Sequence, residues 1–141
     1  MSTTTAERIP RALRGAVLLA VALFVAGCNG GTVDRHALAK DNEAVDSLAC
    51  EGVLLGDDVV AGDTTRIFAR VHAGDLARRA SNFEDALGER PTLEEIEPRV
   101  RALGRRAGRI STLLAELRDR PTDRSAARRV VGELSGEGDC R

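Results

Sequence analysis

The chain has 141 residues, a formal net charge of −1 and 30% charged residues, a composition typical of a globular protein. This near-neutral charge gives no indication of a nucleic-acid partner. With no tryptophan, no tyrosine and three phenylalanines, the chain lacks the aromatic residues that sugar-binding faces, base-stacking platforms and strong interface hot spots use.

The first 27 residues have the layout of a secretory signal peptide. Arg8, Arg11 and Arg14 form a positively charged region, and an apolar region follows from Gly15 to Ala26. As a helix rising about 1.5 Å per residue, the apolar region reaches roughly 18 Å, which is short of a hydrocarbon core of about 30 Å. We therefore predict an export signal rather than a transmembrane helix.

The apolar region ends in Val25, Ala26, Gly27 and Cys28. This run resembles the lipobox of bacterial lipoproteins, in which an aliphatic residue and two small residues precede a cysteine. The resemblance implies that the Cys28 thiol receives diacylglycerol and that signal peptidase II cuts between Gly27 and Cys28. Fatty acids such as palmitate then anchor the new N-terminus, because two or more acyl chains hold stably where one holds only marginally.

The same resemblance predicts an exported protein held on a bacterial membrane. In Gram-negative bacteria the residue after the cysteine sorts lipoproteins, and Asn29 is not the aspartate that retains them at the inner membrane. An outer-membrane location follows for such an organism. Lys40 is the only lysine among 21 lysines and arginines, which indicates a GC-rich genome. If that genome belongs to a single-membrane bacterium, the predicted location is the cell membrane.

Removal of residues 1–27 leaves one domain of ordinary size, residues 33–135, behind a polar, glycine-rich tether at residues 28–32. Residues 28–141 together have a net charge of about −3, because the removed segment carries three arginines and one glutamate. Apolar spacing predicts a first helix from Val33 to Cys50. The run from Val53 to Val60 fits a strand or a continuation of this helix, and we predict helix because no second strand is available to pair with it.

A second helix is predicted to begin at an Asp63 cap and to end near Gly88. Its apolar stripe is Phe68, His72, Leu76, Ala80, Phe83 and Leu87. A third helix is predicted to begin at a capping box formed by Thr92 and Glu95, with a kink at Pro98. Its heptad-like seam is Leu93, Ile96, Val100, Leu103, Ala107, Ile110, Leu114 and Leu117. The seam can serve the core of the monomer or a contact with another subunit, and we expect the core.

Pro121 ends the third helix, and Thr122 or Asp123 begins a short last helix that runs through Leu134. Residues 136–141 are predicted to form a flexible tail. Every well-patterned segment is helical and the connections are short. The predicted fold is therefore all-α, a small bundle of three or four antiparallel helices.

Cys50 and Cys140 are the two thiols left once Cys28 is lipidated. Paired cysteines of exported proteins usually form disulfides. We predict a bridge within one chain, closing a loop of about ninety residues. A bridge between two chains and two unbridged thiols are the alternatives.

Five arginines crowd the third predicted helix with no acidic residue between them. They are Arg99, Arg101, Arg105, Arg106 and Arg109. Residues 36–65, in contrast, carry seven acidic residues against Lys40. Four interpretations fit: a solvated arginine face, pairing with acidic residues of the same molecule, stacking of two molecules, and binding of lipid headgroups or anionic polymers.

No nucleophile elbow, phosphate loop or zinc-protease helix occurs, and we predict neither enzymatic activity nor a cofactor. His36 and His72 have no partners at metal-ligand spacing, and His72 is expected to pack on its helix. Asp57, Asp58 and Asp63 lack the alternation of a calcium loop, so we expect them in caps or turns and predict no metal site.

The leading functional hypothesis is a lipid-anchored, non-enzymatic helical envelope protein that acts as an interaction or structural module. Its partners are expected to be the membrane, through the lipid anchor, and an envelope protein, with a homo-oligomer compatible with the pattern. The alternative is an accessory protein that binds an anionic ligand, lipid headgroup or envelope polymer through the arginine-rich face.

Overall fold

A computed structural model describes residues 32–140 of the chain. In this part the chain forms four α-helices and one 3₁₀ turn: α1 Arg35–Ala61, α2 Arg66–Glu89, the turn Glu94–Ile96, α3 Glu97–Asp119 and α4 Arg124–Glu137. An isolated parallel bridge between Val33 and Thr92 is the one β interaction among these residues. The predicted signal peptide, with Val25, Ala26, Gly27 and Cys28, lies outside the described residues.

The helices surround a common core in chain order, and each packs against its neighbours along the chain. α2 and α3 share the most extensive contact, α4 also packs against α1, and α1 and α3 meet across the core. Arg109 and Glu116 of α3 pair with Glu137 and Arg129 of α4, respectively. Residue numbers therefore rise along α3 as they fall along α4, so these two helices are antiparallel. The predicted antiparallel helical bundle is confirmed.

The core between residues 32 and 140 is entirely hydrophobic, and no polar or charged residue of this part is buried. Seven of the eight seam residues lie in it: Ile96, Val100, Leu103, Ala107, Ile110, Leu114 and Leu117. The seam therefore serves the core of the monomer, as expected. Leu93 is 42% exposed because it precedes the 3₁₀ turn, where the chain has not yet entered the helix.

α1 is one continuous helix of 27 residues, which confirms the helical interpretation of the run from Val53 to Val60. It begins two residues later than predicted, because Val33 is extended and the Asp34 side chain accepts a hydrogen bond from the Ala37 amide. It ends at Gly62, whose φ of 85° lies in the left-handed region that favours glycine.

The predicted ends and stripe of α2 were partly wrong. Thr65 caps the helix instead of Asp63, and the helix passes through Gly88 to Glu89, where the following Pro91 favours extended backbone at Arg90. The buried stripe is Ala69, Ala73, Leu76, Ala77, Ala80 and Leu87. Alanines occupy most of it because small side chains let α2 pack closely on α3. The larger Phe68 is displaced to the surface, and Phe83 packs at the edge of the core.

The predicted start of α3 was also wrong. The Thr92 hydroxyl donates to the carbonyl of Arg90 and caps no helix, and a 3₁₀ turn occupies the next residues. α3 begins at Glu97, which places Pro98 in its first turn. An amide is not needed for helical hydrogen bonding at that position, so Pro98 starts the helix rather than kinking it.

α4 begins where the sequence predicted. The Asp123 carboxylate accepts hydrogen bonds from the amides of Ser125 and Ala126. The helix extends to Glu137, two residues into the predicted tail. Ion pairs that Glu137 forms with α3 account for this extension, because they hold the last turn of α4 against the bundle.

Candidate functional site

The point where the folded part begins is the first candidate feature. Val33 is fully buried, and its amide donates to the carbonyl of Pro91 at 2.7 Å. The Leu93 amide completes the bridge by approaching the Val33 carbonyl at 3.4 Å. Asp34 then caps α1, and the hydrogen bond from Ala37 lowers the pKa of its carboxyl group. Residue 33, directly after the predicted tether, is therefore held at the connection between α2 and α3.

Arg106 is the most enclosed of the five arginines, with only 18% of its side chain exposed. It pairs with Asp46 of α1, donates to the Asn42 side chain at 3.0 Å and lies 3.7 Å from the Glu137 carboxylate of α4. One guanidinium thus joins three helices. For this residue, pairing within the molecule is the interpretation that the structure supports.

Arg109 and Arg101 are also paired. Arg109 forms a two-point contact with Glu137 at 2.7 and 2.9 Å, and these hydrogen bonds raise the pKa of its guanidinium. Arg101 pairs with Glu97 one turn earlier on α3 at 3.1 Å. Arg99 and Arg105 are exposed and form no ion pair within residues 32–140.

The five arginines do not form one face. Arg99, Arg106 and Arg109 line a groove between α1 and α3, whereas Arg101 and Arg105 border a separate depression beside Leu87 near the end of α2. This division corrects the single arginine-rich face that the sequence predicted. It arises because positions 101 and 105, four residues apart, share one face of α3, whereas position 99 lies nearly opposite them.

The groove between α1 and α3 has a volume of about 730 Å³ and is open to solvent. Its apolar lining is Leu38, Ala39, Ala102 and Leu103. Its polar lining is Arg35, Asn42, Glu43, Arg99, Arg106 and Arg109. Arg35 forms an exposed pair with Glu95 at 3.2 Å, which solvent weakens. The combination of apolar side chains and guanidinium groups suits a ligand that is itself part apolar and part anionic.

A disulfide joins Cys50 of α1 to Cys140, with 5.2 Å between their Cα atoms. This is the bridge within one chain that the sequence predicted. It holds the residues after α4 against α1, where the backbone at Gly138 passes so close that an added Cβ would lie 3.0 Å from that of Ala49. The last described residues are therefore fixed to the bundle rather than extended away from it.

The histidines and aspartates considered as metal ligands in the sequence do not form a common site in the described residues. The His72 ring packs against Phe68 with 5.4 Å between ring centres and a tilt of 33° between the rings, a contact within its own helix. Within residues 32–140, no three histidine, cysteine or acidic side chains are grouped as metal ligands. No helix in this part combines the length and apolar character that crossing a bilayer requires.

One surface was missed by sequence reasoning. Ile67, Phe68 and Val71 are 77%, 54% and 65% exposed at the start of α2. The signal was present in Ala69, Ala73 and other alanines that define the true buried stripe and leave Ile67 and Val71 facing outwards. The large apolar side chain of Phe68 fits the predicted stripe by its spacing, but the buried face of α2 is formed mainly by the smaller alanines.

Comparison of the chain with protein-family models, with curated proteins and with solved structures found no match.

Proposed function

We propose that this chain is a lipid-anchored helical protein of the bacterial envelope, acting without catalysis as an interaction or structural module. The observation that carries the proposal is the order of three elements in the sequence: the arginines at 8, 11 and 14, the apolar run to Ala26, and the lipobox-like Val25 to Cys28. Its mechanism is localisation, in which acyl chains hold a folded bundle beside a membrane.

The start of the fold supports this proposal. The predicted tether, residues 28–32, directly precedes the buried Val33. Its five residues span at most about 17 Å when fully extended. A lipid on Cys28 would therefore keep the end of the bundle that holds Val33 close to the bilayer. The envelope protein expected as a partner would then bind the surfaces of the bundle that face away from the bilayer.

Labelling with a palmitate analogue tests the anchor directly. The unmodified protein in a bacterial host should take up label and should begin at Cys28 when analysed by mass spectrometry. The Cys28→Ser variant should lose the label and keep its first 27 residues. Cys140→Ser is the matched control, since it removes a cysteine without altering the lipobox, and it should remain labelled. An unlabelled protein that still begins at Met1 would refute the proposal.

A second candidate function is binding of an anionic ligand, and the groove between α1 and α3 favours it. Arg99 lines this groove without an ion pair among the described residues, next to the apolar side chains of Leu38 and Leu103. The ligand class is an amphipathic anion, such as a lipid headgroup with part of its acyl chain, or an apolar segment of an anionic envelope polymer.

Soluble short-chain phosphatidylglycerol is a suitable probe of the groove. With the protein in a non-ionic detergent, addition of this lipid should shift the amide resonances of groove residues, and short-chain phosphatidylcholine should not. Arg99→Gln should weaken the effect, whereas Arg105→Gln, which changes another exposed arginine outside the groove, should not. Equal shifts with both lipids, or equal loss in both variants, would contradict the groove as an anion site.

A further inference from the structure

The first two turns of α2 carry an unusual apolar surface. Ile67, Phe68 and Val71, here called the α2 apolar patch, are each more than half exposed, although the other large apolar side chains of α2 are buried or partly buried. Ile67 and Val71 are four residues apart, so they share one face of the helix. Exposed apolar side chains grouped in this way mark contact surfaces more often than singly exposed ones do.

Charges of both signs accompany the patch at this end of the bundle. Asp57 and Asp58 lie in the last turns of α1, and Asp63 lies in the short connection to α2. Arg66 and Arg70 belong to the same two turns as the patch. All five are exposed, and none forms an ion pair in the described part of the chain. Arg70 has only a longer-range interaction with Asp119. The pKa of Asp119 is lowered mainly by a hydrogen bond from Arg118 and to a smaller extent by the charge of Arg70.

This charge pattern selects among partners. An anionic lipid surface or an acidic polymer would be attracted by Arg66 and Arg70 but repelled by the three aspartates. A basic partner would be attracted by the aspartates but repelled by the two arginines. A second copy of the same surface offers both signs: a two-fold axis that passes between the arginines and the aspartates sets the arginines of each copy opposite the aspartates of the other.

The position of the patch also disfavours the membrane. Val33 is held at Pro91, beyond the last turn of α2, whereas the patch lies at the first turns of this helix. The 24 residues of α2 extend about 36 Å, roughly twice the reach of the predicted tether. A tether attached near Pro91 leaves the patch free to meet a neighbouring molecule.

We propose that the α2 apolar patch is the centre of a two-fold interface between two copies of this chain. Ile67, Phe68 and Val71 of one copy pack against the same residues of the other, and the acidic and basic residues form the rim. The interface does not depend on the lipid anchor. Anchoring both copies in one membrane would strengthen it by raising their effective concentration.

Co-isolation of two differently tagged full-length copies, expressed together and solubilised in mild detergent, tests the interface. The double variant I67E/V71E in both copies should reduce the co-isolated partner about tenfold or more, because it buries four carboxylates in the contact. Asn82→Glu, an exposed position further along α2, is the matched control and should leave co-isolation unchanged. Far-UV circular dichroism confirms that each variant is folded.

Exchange of charge tests the arrangement of the rim. R66D/R70D in both copies should abolish co-isolation, and pairing that variant with a D57R/D58R/D63R copy should restore it, which a merely destabilised fold would not do. A photo-crosslinking amino acid in place of Phe68 should give an adduct of two copies. Co-isolation that is absent in the unmodified protein, or adducts with lipid or another protein alone, would overturn the proposal. Palmitate labelling is scored separately, so failure of the anchor is distinguished from failure of the interface.

Discussion

Individual glycines determine how closely α1 approaches its neighbours. At Gly52, an added Cβ would lie 2.7 Å from Cδ2 of Leu114 on α3 and 2.7 Å from Cδ1 of Leu134 on α4. Both leucines are fully buried, so neither can move aside into solvent. The bare backbone of Gly52 is therefore the surface on which the two leucines pack, and it explains how α1 and α3 meet across the core.

Replacing Gly52 with alanine should lower the free energy of unfolding by about 1 kcal/mol. Alanine gains up to about 1 kcal/mol in helix propensity, but overpacking a filled core costs about 1–3 kcal/mol. Gly132 is the matched control, since it lies within α4 with no atom within 4 Å of an added Cβ. Gly132→Ala should raise stability by about 0.5–1 kcal/mol. Urea denaturation followed by circular dichroism measures both, and stabilisation by Gly52→Ala would contradict the packing described.

Arg106 should matter to stability far more than the other arginines of α3. Its loss leaves Asp46 without its cation and Asn42 without its donor, although Glu137 keeps Arg109, so Arg106→Ala is expected to cost about 1.5–3 kcal/mol. Arg101→Ala removes an exposed pair on one helix and should cost no more than about 0.5 kcal/mol. Similar unfolding free energies for the two variants would show that the contacts of Arg106 do not stabilise the fold more than an exposed ion pair does. A ligand-binding test should therefore use Arg99 and leave Arg106 intact.

At the scale of helices, the caps of α1 and α4 make the fold sensitive to acid. The hydrogen bond from the Ala126 amide, followed by that from Ser125, lowers the pKa of Asp123 below its ordinary 3.8. The hydrogen bond from Ala37 has the same effect on Asp34. A carboxyl group with a lowered pKa favours folding while ionised. Its contribution is present above about pH 4 and is lost as the pH falls through the pKa of the folded state.

Asp123→Asn should reduce this acid sensitivity. Asparagine caps helices about as well as aspartate but does not titrate in this range, so stability at pH 7 should change little. The loss of stability between pH 5 and pH 2.5 should become smaller than in the unmodified protein. Asp123→Ala should instead be less stable at neutral pH, because it removes the cap itself. Thermal unfolding at several pH values measures these differences, and parallel pH profiles for Asn and Asp would contradict the role of the carboxylate.

The helices differ in how well their sequences predict them, and the difference has a physical cause. Seven of the eight α3 seam residues are buried because their large apolar side chains repeat without a break. α2 was predicted less well because its buried face is mostly alanine, whose weak hydrophobic signal was outweighed by Phe68. The start of α3 was misplaced because a capping-box pattern does not reveal that Val33 pairs with the Thr92 segment instead.

At the scale of the whole molecule, the sequence predicted an antiparallel bundle but not which charges meet. Arg106 and Asp46 are 60 positions apart, and Arg109 and Glu137 are 28 apart. Such pairs depend on which helices become neighbours and on how each helix is rotated about its own axis. The periodicity of the sequence does not give the neighbour of a helix or its rotation. The division of the arginines, in contrast, follows from helical spacing, because positions 99 and 106 lie on one side of α3 and positions 101 and 105 lie on the other. Periodicity does not say which neighbouring helices complete the groove and the depression.

The Cys50–Cys140 bridge joins residues that are 90 positions apart, and reduction should show how much the bundle depends on it. The bridge closes a loop of 90 residues, for which the loss of chain entropy in the unfolded state corresponds to about 4–5 kcal/mol at most. Reduction should therefore lower the urea midpoint markedly while helicity in the absence of urea is retained, because the hydrophobic core does not include the bridge. The C50S/C140S variant should unfold like the reduced protein and should not respond to reductant. If reductant lowers the midpoint of that variant as well, or leaves the unmodified protein unchanged, the closed loop is not what stabilises the fold.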